Sequence, residues 1–215
     1  MKKLLHYLIP STCVLCNLPS RRCQDLCPAC EADLPWRESS LVNNTIALFH
    51  YQKPIDHFIT ALKFANKLIY AKILGELMAT KLAKHYQQTE PPKIIIPVPL
   101  HKKRLRERGY NQALELARPI AKNLHIPIDC DSSIRSKYTA AQSLIPAKQR
   151  QKNMHNAFAI KKIFSAQHIA IIDDVITTGN TIKELSKTLY QCNIKKIDIW
   201  CCAKTSFAIS AHINQ

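Results

Sequence analysis

The residues best suited to chemistry lie in Ile171–Thr181, which reads IIDDVITTGNT. Asp173 and Asp174 stand side by side at the end of an apolar run, and Thr177, Thr178, Gly179, Asn180 and Thr181 follow them. Gly179 is one of only three glycines in the chain, so its placement is informative. Glycine permits a positive φ and lets the backbone come close to a ligand. The N–H groups and dipole of a helix start favour an anion, and threonine hydroxyls add donors. A phosphate monoester suits such a loop. Two carboxylates would repel it, yet they accept hydrogen bonds well from sugar hydroxyls. The stretch therefore reads as a cradle for a phosphate attached to a ribose, with the acids on the ring hydroxyls. The plain alternative is a strand end with an Asp cap and an ordinary turn. Two flanking signals weigh against it: the buried strand before the acids, and a capping box of Thr181 and Glu184 after them.

A second group is made of thiols. Five of the nine cysteines fall within positions 13–30. Cys13-x-x-Cys16 and Cys27-x-x-Cys30 are separated by ten residues, and each pair can hold two corners of a tetrahedral zinc. Four thiolates make a closed structural site, and Cys23 is a fifth candidate that could replace one of them. Redox pairs or free thiols are the alternative, but no thioredoxin-like context surrounds either pair. A segment of this size buries little, so a metal would supply its folding energy. Cys130, Cys192, Cys201 and Cys202 read as core thiols.

The elements that must position these groups follow from periodicity. TIALFHY (45–51) predicts a strand. Apolar spacing from Pro54 to about Gln88 predicts two helices with a break near Asn66, stopped by Pro91-Pro92. KIIIPVPLH predicts a strand buried on both faces, as in a parallel sheet. The basic stretch HKKRLRERGYNQ reads as a loop leading into a helix over 110–124, which Pro119 should kink or split. Residues 126–134 are a further strand candidate, and 135–157 read as a long polar loop with some helix. HIAIID (168–173), a helix over 182–192 and KIDIWCCA (196–203) make a βαβ unit. The expected organisation is a cysteine module over 1–40 and an α/β domain over 41–215.

The chain has 215 residues and a net charge of +16, which points to polyanionic partners such as phosphates, nucleotides or nucleic acid. Residues 1–40 are nearly neutral, so almost all of the excess lies in 41–215. No apolar run approaches the roughly 20 residues of a membrane span. MKKLLHYLIP has too short an apolar core, and no cleavage site, for a signal peptide. A cytoplasmic protein is the expectation.

Four pieces in order carry a family resemblance: the paired Cys-x-x-Cys, IIIPVPLHKKRLRERGYNQALELA, the spaced Arg135, Thr139, Gln142, Arg150, Asn153 and Phe158, and IIDDVITTGNT. Together they span nearly the whole chain, and it resembles the ComF/GntX family of phosphoribosyltransferase-like proteins. The resemblance implies a type I phosphoribosyltransferase fold and binding of phosphoribosyl pyrophosphate (PRPP) with Mg2+. By that analogy Asp173 and Asp174 hold the ribose hydroxyls, and Thr177, Thr178, Gly179, Asn180 and Thr181 hold the 5-phosphate. The loop after PVP would lie near the pyrophosphate, with Lys102, Lys103, Arg104, Arg106 and Arg108 supplying positive charge. Arg104, Arg108, Gly109, Asn111 and Gln112 match the family's second hallmark. Asn193 stands where the family usually has glycine, a mild change because Asn tolerates the left-handed conformation. KQRQK (148–152) is a candidate lid.

The resemblance also implies a link to natural transformation and single-stranded DNA, directly or through competence proteins. Two functions follow as expectations: transfer of a phosphoribosyl group to an unknown acceptor, or PRPP binding without turnover in DNA handling.

Overall fold

The computed structural model describes residues 11–20, 25–37, 44–138 and 156–205. The candidate lid at 148–152, Cys23, and the family positions Thr139, Gln142, Arg150 and Asn153 lie outside the described residues.

The elements run β1 (Ser11–Thr12), β2 (Pro19–Ser20), α1 (Pro28–Ala32), β3 (Thr45–His50), α2 (Ile55–Phe64), α3 (Leu68–His85) and β4 (Ile94–Pro97). There follow α4 (Lys102–Arg108), α5 (Gln112–Leu124), β5 (Ser133–Arg135), β6 (Phe158–Ile160), β7 (His168–Ile176), α6 (Asn180–Tyr190) and β8 (Lys196–Lys204). The central sheet is all parallel, in the order β3-β8-β7-β4. β1–β2 and β5–β6 are separate antiparallel pairs.

Burial on both faces explains the β-branched runs. In β4, Ile95 packs with α3 and α5 on one face, while Ile96 packs with α6 on the other. β7 divides likewise: Ala170 and Ile172 join the first cluster, Ile169 and Ile171 the second. The first cluster also contains Cys13, Leu26 and Leu34, so the N-terminal segment packs on the same core as α2 and α3. Asp25 pairs with Lys72 of α3 at 2.6 Å. Trp36 packs against Phe49 of β3 with tilted rings, centroids 4.6 Å apart, and its Nε1–H donates to the Glu31 carbonyl at 2.9 Å.

The predicted helix pair breaks where expected, with Asn66 at φ 53° between α2 and α3. Asn193 also adopts the left-handed region, at φ 62°. Several expectations need correction. The basic stretch after PVP is not a loop but the helix α4, capped by His101, whose Nδ1 accepts from the Lys103 N–H at 3.2 Å. Gly109 ends it at φ 83°. The candidate strand 126–134 reduces to a single bridge from Ile128 to Ile95, and the paired strand begins only at Ser133. β6 falls where only a loop boundary was expected. Pro119 does not split its helix: α5 runs continuously through it.

The proline is accommodated by Gly75 of α3. A Cβ at Gly75 would lie 2.7 Å from the Leu116 carbonyl oxygen and 2.9 Å from Pro119 Cγ. The bare glycine thus lets α3 sit against the turn whose ladder the proline interrupts. Gly75→Ala should cost about 1–3 kcal/mol by overpacking, despite alanine's better helix propensity. Urea unfolding of the two proteins checks this; equal midpoints would show that the helices separate at no cost.

Candidate functional site

The site forms where β7 ends. Side chains alternate along a strand, so neighbouring acids face opposite ways. Asp173 lies on the α6 side and lines a small, open concavity with Val175–Ile182. Asp174 is 3% exposed and engages the α2–α5 side: it forms an ion pair with Lys63 of α2, and its Oδ1 accepts from Gln112 Nε2 at 3.5 Å. Asp174 is thus engaged by Lys63 and Gln112, while Asp173 borders the concavity.

Electrostatics separates them further. Burial, and next the charge of Asp174, raise the pKa of Asp173 well above the usual carboxylate range. Burial also opposes ionisation of Asp174, but the Lys63 ammonium overcomes it and brings that pKa below its ordinary value. Asp173 is thus the member that holds a proton most readily, and it is the one lining the concavity.

The loop beyond takes the expected course with one difference. Gly179 is itself the cap residue of α6, at φ 74°, and no side chain caps the helix. The predicted Thr181–Glu184 capping box does not form, because the Glu184 carboxylate accepts instead from the Asn156 N–H at 2.6 Å. Among the described residues no side chain takes the N–H groups of this helix start as a cap. Thr177 and Thr178 are exposed, and Gly179, Asn180 and Thr181 are half-buried along the concavity wall.

Each residue of RGYNQ has a local task. Gly109 makes the left-handed stop after α4. The Tyr110 hydroxyl donates to the Leu62 carbonyl. Asn111 caps α5, accepting from the Ala113 N–H at 3.0 Å, and its amide donates to the Val98 carbonyl at 3.0 Å. Gln112 accepts from Arg108 and donates to Asp174, so a polar chain links α4 to the acid. Helical spacing sorts the basic residues of α4. Arg104 and Arg108, four apart, are half-buried, whereas Lys102, Lys103 and Arg106 are exposed. Burial lowers the pKa of Arg108, and the Asp174 charge offsets part of that effect.

The second centre is a cluster of four thiols. The sulfurs of Cys13, Cys16, Cys27 and Cys30 all lie within 4.8 Å of one another. Tetrahedral zinc with Zn–S bonds of about 2.3 Å requires sulfurs roughly 3.8 Å apart. Cys16 and Cys27 stand 3.7 Å apart. The donor set and its spacing suit a structural zinc site. Burial raises the Cys13 pKa, but N–H groups of Cys16, Cys27 and Leu15 outweigh it, bringing the thiol down to about 6. Cys201 and Cys202 are core thiols as expected. Cys130 is exposed, because it sits in a turn that Asp129 closes by accepting from the N–H groups of Asp131 and Ser132.

Lys63 escapes sequence reasoning. It follows Leu62 in the last turn of α2, where a lysine ordinarily faces water and complements the helix dipole. Only the packing of α2 against β7 reveals its carboxylate.

A parallel sheet with an acid and a glycine-started helix at its carboxyl edge defines an α/β protein, a class in which ligand sites commonly lie at that edge. Comparison with known proteins narrows the class. No family model matches the chain. Over 206 residues it is 30% identical to DNA utilization protein YhgH of Shigella flexneri, covering 90% of each chain. It is 37% identical over 160 residues to Competence protein F of Haemophilus influenzae, covering 72% of this chain and 70% of that one. Competence protein ComFC of Bacillus subtilis matches at 25% over 186 residues, or 83% of this chain and 71% of that one. The chain belongs to the ComF/GntX family of phosphoribosyltransferase-like proteins. Among solved structures, a hypoxanthine phosphoribosyl transferase of Trypanosoma cruzi overlays with a TM-score of 0.42 at 12% identity, covering 67% of this chain and 69% of that one. No helix among the described residues is long and apolar enough to cross a membrane.

Proposed function

We propose that the protein binds PRPP at the carboxyl edge of β7 and transfers its phosphoribosyl group to an acceptor in a process tied to DNA uptake. The carrying observation is the concavity in which Asp173 and the Gly179-started helix share one wall. In this reading Thr177, Thr178, Gly179, Asn180 and Thr181 hold the 5-phosphate, and Asp173 accepts from the ribose hydroxyls. Asp174 acts from behind, fixed by Lys63 and Gln112. The basic helix α4, reached through the loop after Pro97, supplies charge toward the leaving pyrophosphate. Arg104 and Arg108 face inward for that task, while Lys102 and Lys103 line the approach.

Mg2+ would neutralise pyrophosphate oxygens when bound with PRPP, keeping several of its waters. The carboxylate available to it from this chain is Asp173, because Lys63 and Gln112 occupy Asp174. Displacement of pyrophosphate builds positive charge on the sugar ring, and an ionised Asp173 nearby favours that state. Cys13, Cys16, Cys27 and Cys30 would hold a Zn2+ that serves structure alone, since four protein thiolates would leave no open position.

A second reading is PRPP binding without turnover, with single-stranded DNA held along α4. One observation favours it: Lys103 Nζ lies 4.9 Å above the Tyr138 ring, which also meets the His101 ring at 5.2 Å. An aromatic beside exposed cations is the element that holds unpaired bases. The names of the relatives in Haemophilus and Bacillus agree with a role in competence.

A pyrophosphate-release screen with Mg-PRPP against bases, nucleosides and oligonucleotides separates the two readings. Release with one acceptor is expected for the transferase. PRPP binding without release, with oligonucleotide affinity falling steeply as salt rises, would instead favour the second reading.

A further inference from the structure

Three strands end together at the carboxyl edge of the sheet. His50 of β3 is the register partner of Lys204 of β8, and Lys204 is the partner of Ile176 of β7. The Tyr51 N–H donates to the Lys204 carbonyl at 3.1 Å, and the Thr205 N–H donates to the Ile176 carbonyl at 3.2 Å. Ile176 belongs to the wall of the concavity that begins at Asp173. Neighbouring strands lie about 4.8 Å apart, so His50 and Lys204 stand within roughly 10 Å of that wall.

A further basic residue arrives from the N-terminal segment. The Arg37 N–H donates to the Leu48 carbonyl at 2.9 Å, which fixes the residue beside β3. Its Nη1 lies 3.3 Å from His50 Nδ1. A guanidinium only donates, so Nδ1 accepts and the imidazole hydrogen sits on Nε2. All three residues are half-buried. Among the described residues none has an acidic partner: the ion pairs involve other side chains. Burial lowers the Lys204 pKa, the neighbouring Cys201 thiol offsets part of that effect, and the Arg37 charge adds to it. Arg37 and Lys204 are thus half-buried cations without an ion-pair partner, unfavourable until an anion joins them, and the neutral His50 can add its Nε2–H as a donor.

We infer that Arg37, His50 and Lys204 form a subsite for an oxyanion, a phosphoryl or carboxylate group carried by the acceptor of the phosphoribosyl group. The inference rests on the ribose-phosphate reading of the neighbouring loop. Its direction follows from the strand order. β8 and β3 lie on one side of β7, and β4 with its basic α4 extension lies on the other. A donor seated at β7 thus has the α4 arginines toward its pyrophosphate and the Arg37–His50–Lys204 group on the opposite side. Arg37 makes the N-terminal segment part of the site, which gives the thiol cluster a reason to be held against the sheet.

Calorimetric titration of the full, metal-loaded chain tests this, with inorganic phosphate and acetate as probes and Mg-PRPP present at saturation. The wild type is expected to take one further anion, and Arg37→Gln/Lys204→Gln should weaken it by about tenfold or more. Lys204→Arg should retain it. Uptake of phosphate alone assigns a phosphoryl group; uptake of acetate as well assigns oxyanions generally. Melting curves check that the double variant folds, and the single Lys204→Gln replaces it otherwise. No anion uptake by the wild type, or equal uptake by the variants, would overturn the inference. If Mg-PRPP itself does not bind, the loop reading fails. Phosphate titrated into the free protein then tests the cation subsite alone: loss in the variants supports it, and no loss overturns it.

Discussion

Cys30→Ser should release the metal and unfold the N-terminal segment. Among its described residues that segment contributes Cys13, Leu26 and Leu34 to the buried core, little apolar surface to hold two short strands and a five-residue helix. Structural zinc binds peptides of this kind with about 10–16 kcal/mol, so losing a ligand removes more free energy than any single packing change here. The variant should carry close to no zinc, where the wild type carries about one equivalent. The Trp36 near-UV signal should fade, because its packing against Phe49 depends on the segment staying in place. Proteolysis should cut near residues 25–37 first. Wild-type protein with well under half an equivalent of zinc after careful purification would contradict the assignment.

Lys63→Met should be the most damaging change in the α/β part. It leaves Asp174 buried without its cation, a defect that costs about 3–5 kcal/mol. For a chain of this size the melting temperature should fall by on the order of 10 °C. Adding Asp174→Asn should recover most of the loss, since no charge then remains to be compensated. The pH dependence carries the sign. The folded pKa of Asp174 is depressed, so its contribution is present above the unfolded value of about 4 and is lost as pH falls through the folded value. Lys63→Met should abolish that acid-side loss. A double variant no more stable than Lys63→Met would place the cost elsewhere.

Much of the site was legible because its signals are local. A β-branched run, two acids and a threonine–glycine loop are contiguous, and the paired Cys-x-x-Cys needs only short spacing. RGYNQ was legible as a hallmark but not as a mechanism. Its bonds run to Leu62, Val98 and Asp174, and no periodicity specifies those partners. The division of labour between Asp173 and Asp174 follows from strand alternation, yet it becomes visible only once the helices packed on each face are known. Lys63, Arg37 and Lys204 look like ordinary surface cations in the sequence. They acquire meaning from the Asp174 ion pair of Lys63, from the parallel register, and from the lack of an ion pair to Arg37 or Lys204 among the described residues. The α4 helix was missed because a run of basic residues between Pro99 and Gly109 resembles a loop, while the His101 cap that starts the helix has no strong sequence signature. The Thr181–Glu184 capping box was misread because Glu184 has a distant rival partner in the Asn156 N–H.

The most direct test is calorimetric titration of Mg-PRPP into wild type and Asp173→Asn, paired with their melting curves. The folded pKa of Asp173 is raised, so its ionisation costs stability increasingly as pH climbs from the unfolded value toward the folded one. Asp173→Asn should therefore melt higher than wild type at neutral pH, with the gain vanishing near pH 3, below the unfolded value of about 4. The same substitution should weaken Mg-PRPP binding by about tenfold or more, because it removes a charged acceptor for the ribose hydroxyls. A more stable protein that binds its ligand less well is the expected signature of a residue kept for function. No binding heat in the wild type, or equal affinity in Asp173→Asn, would contradict the ribose-phosphate site.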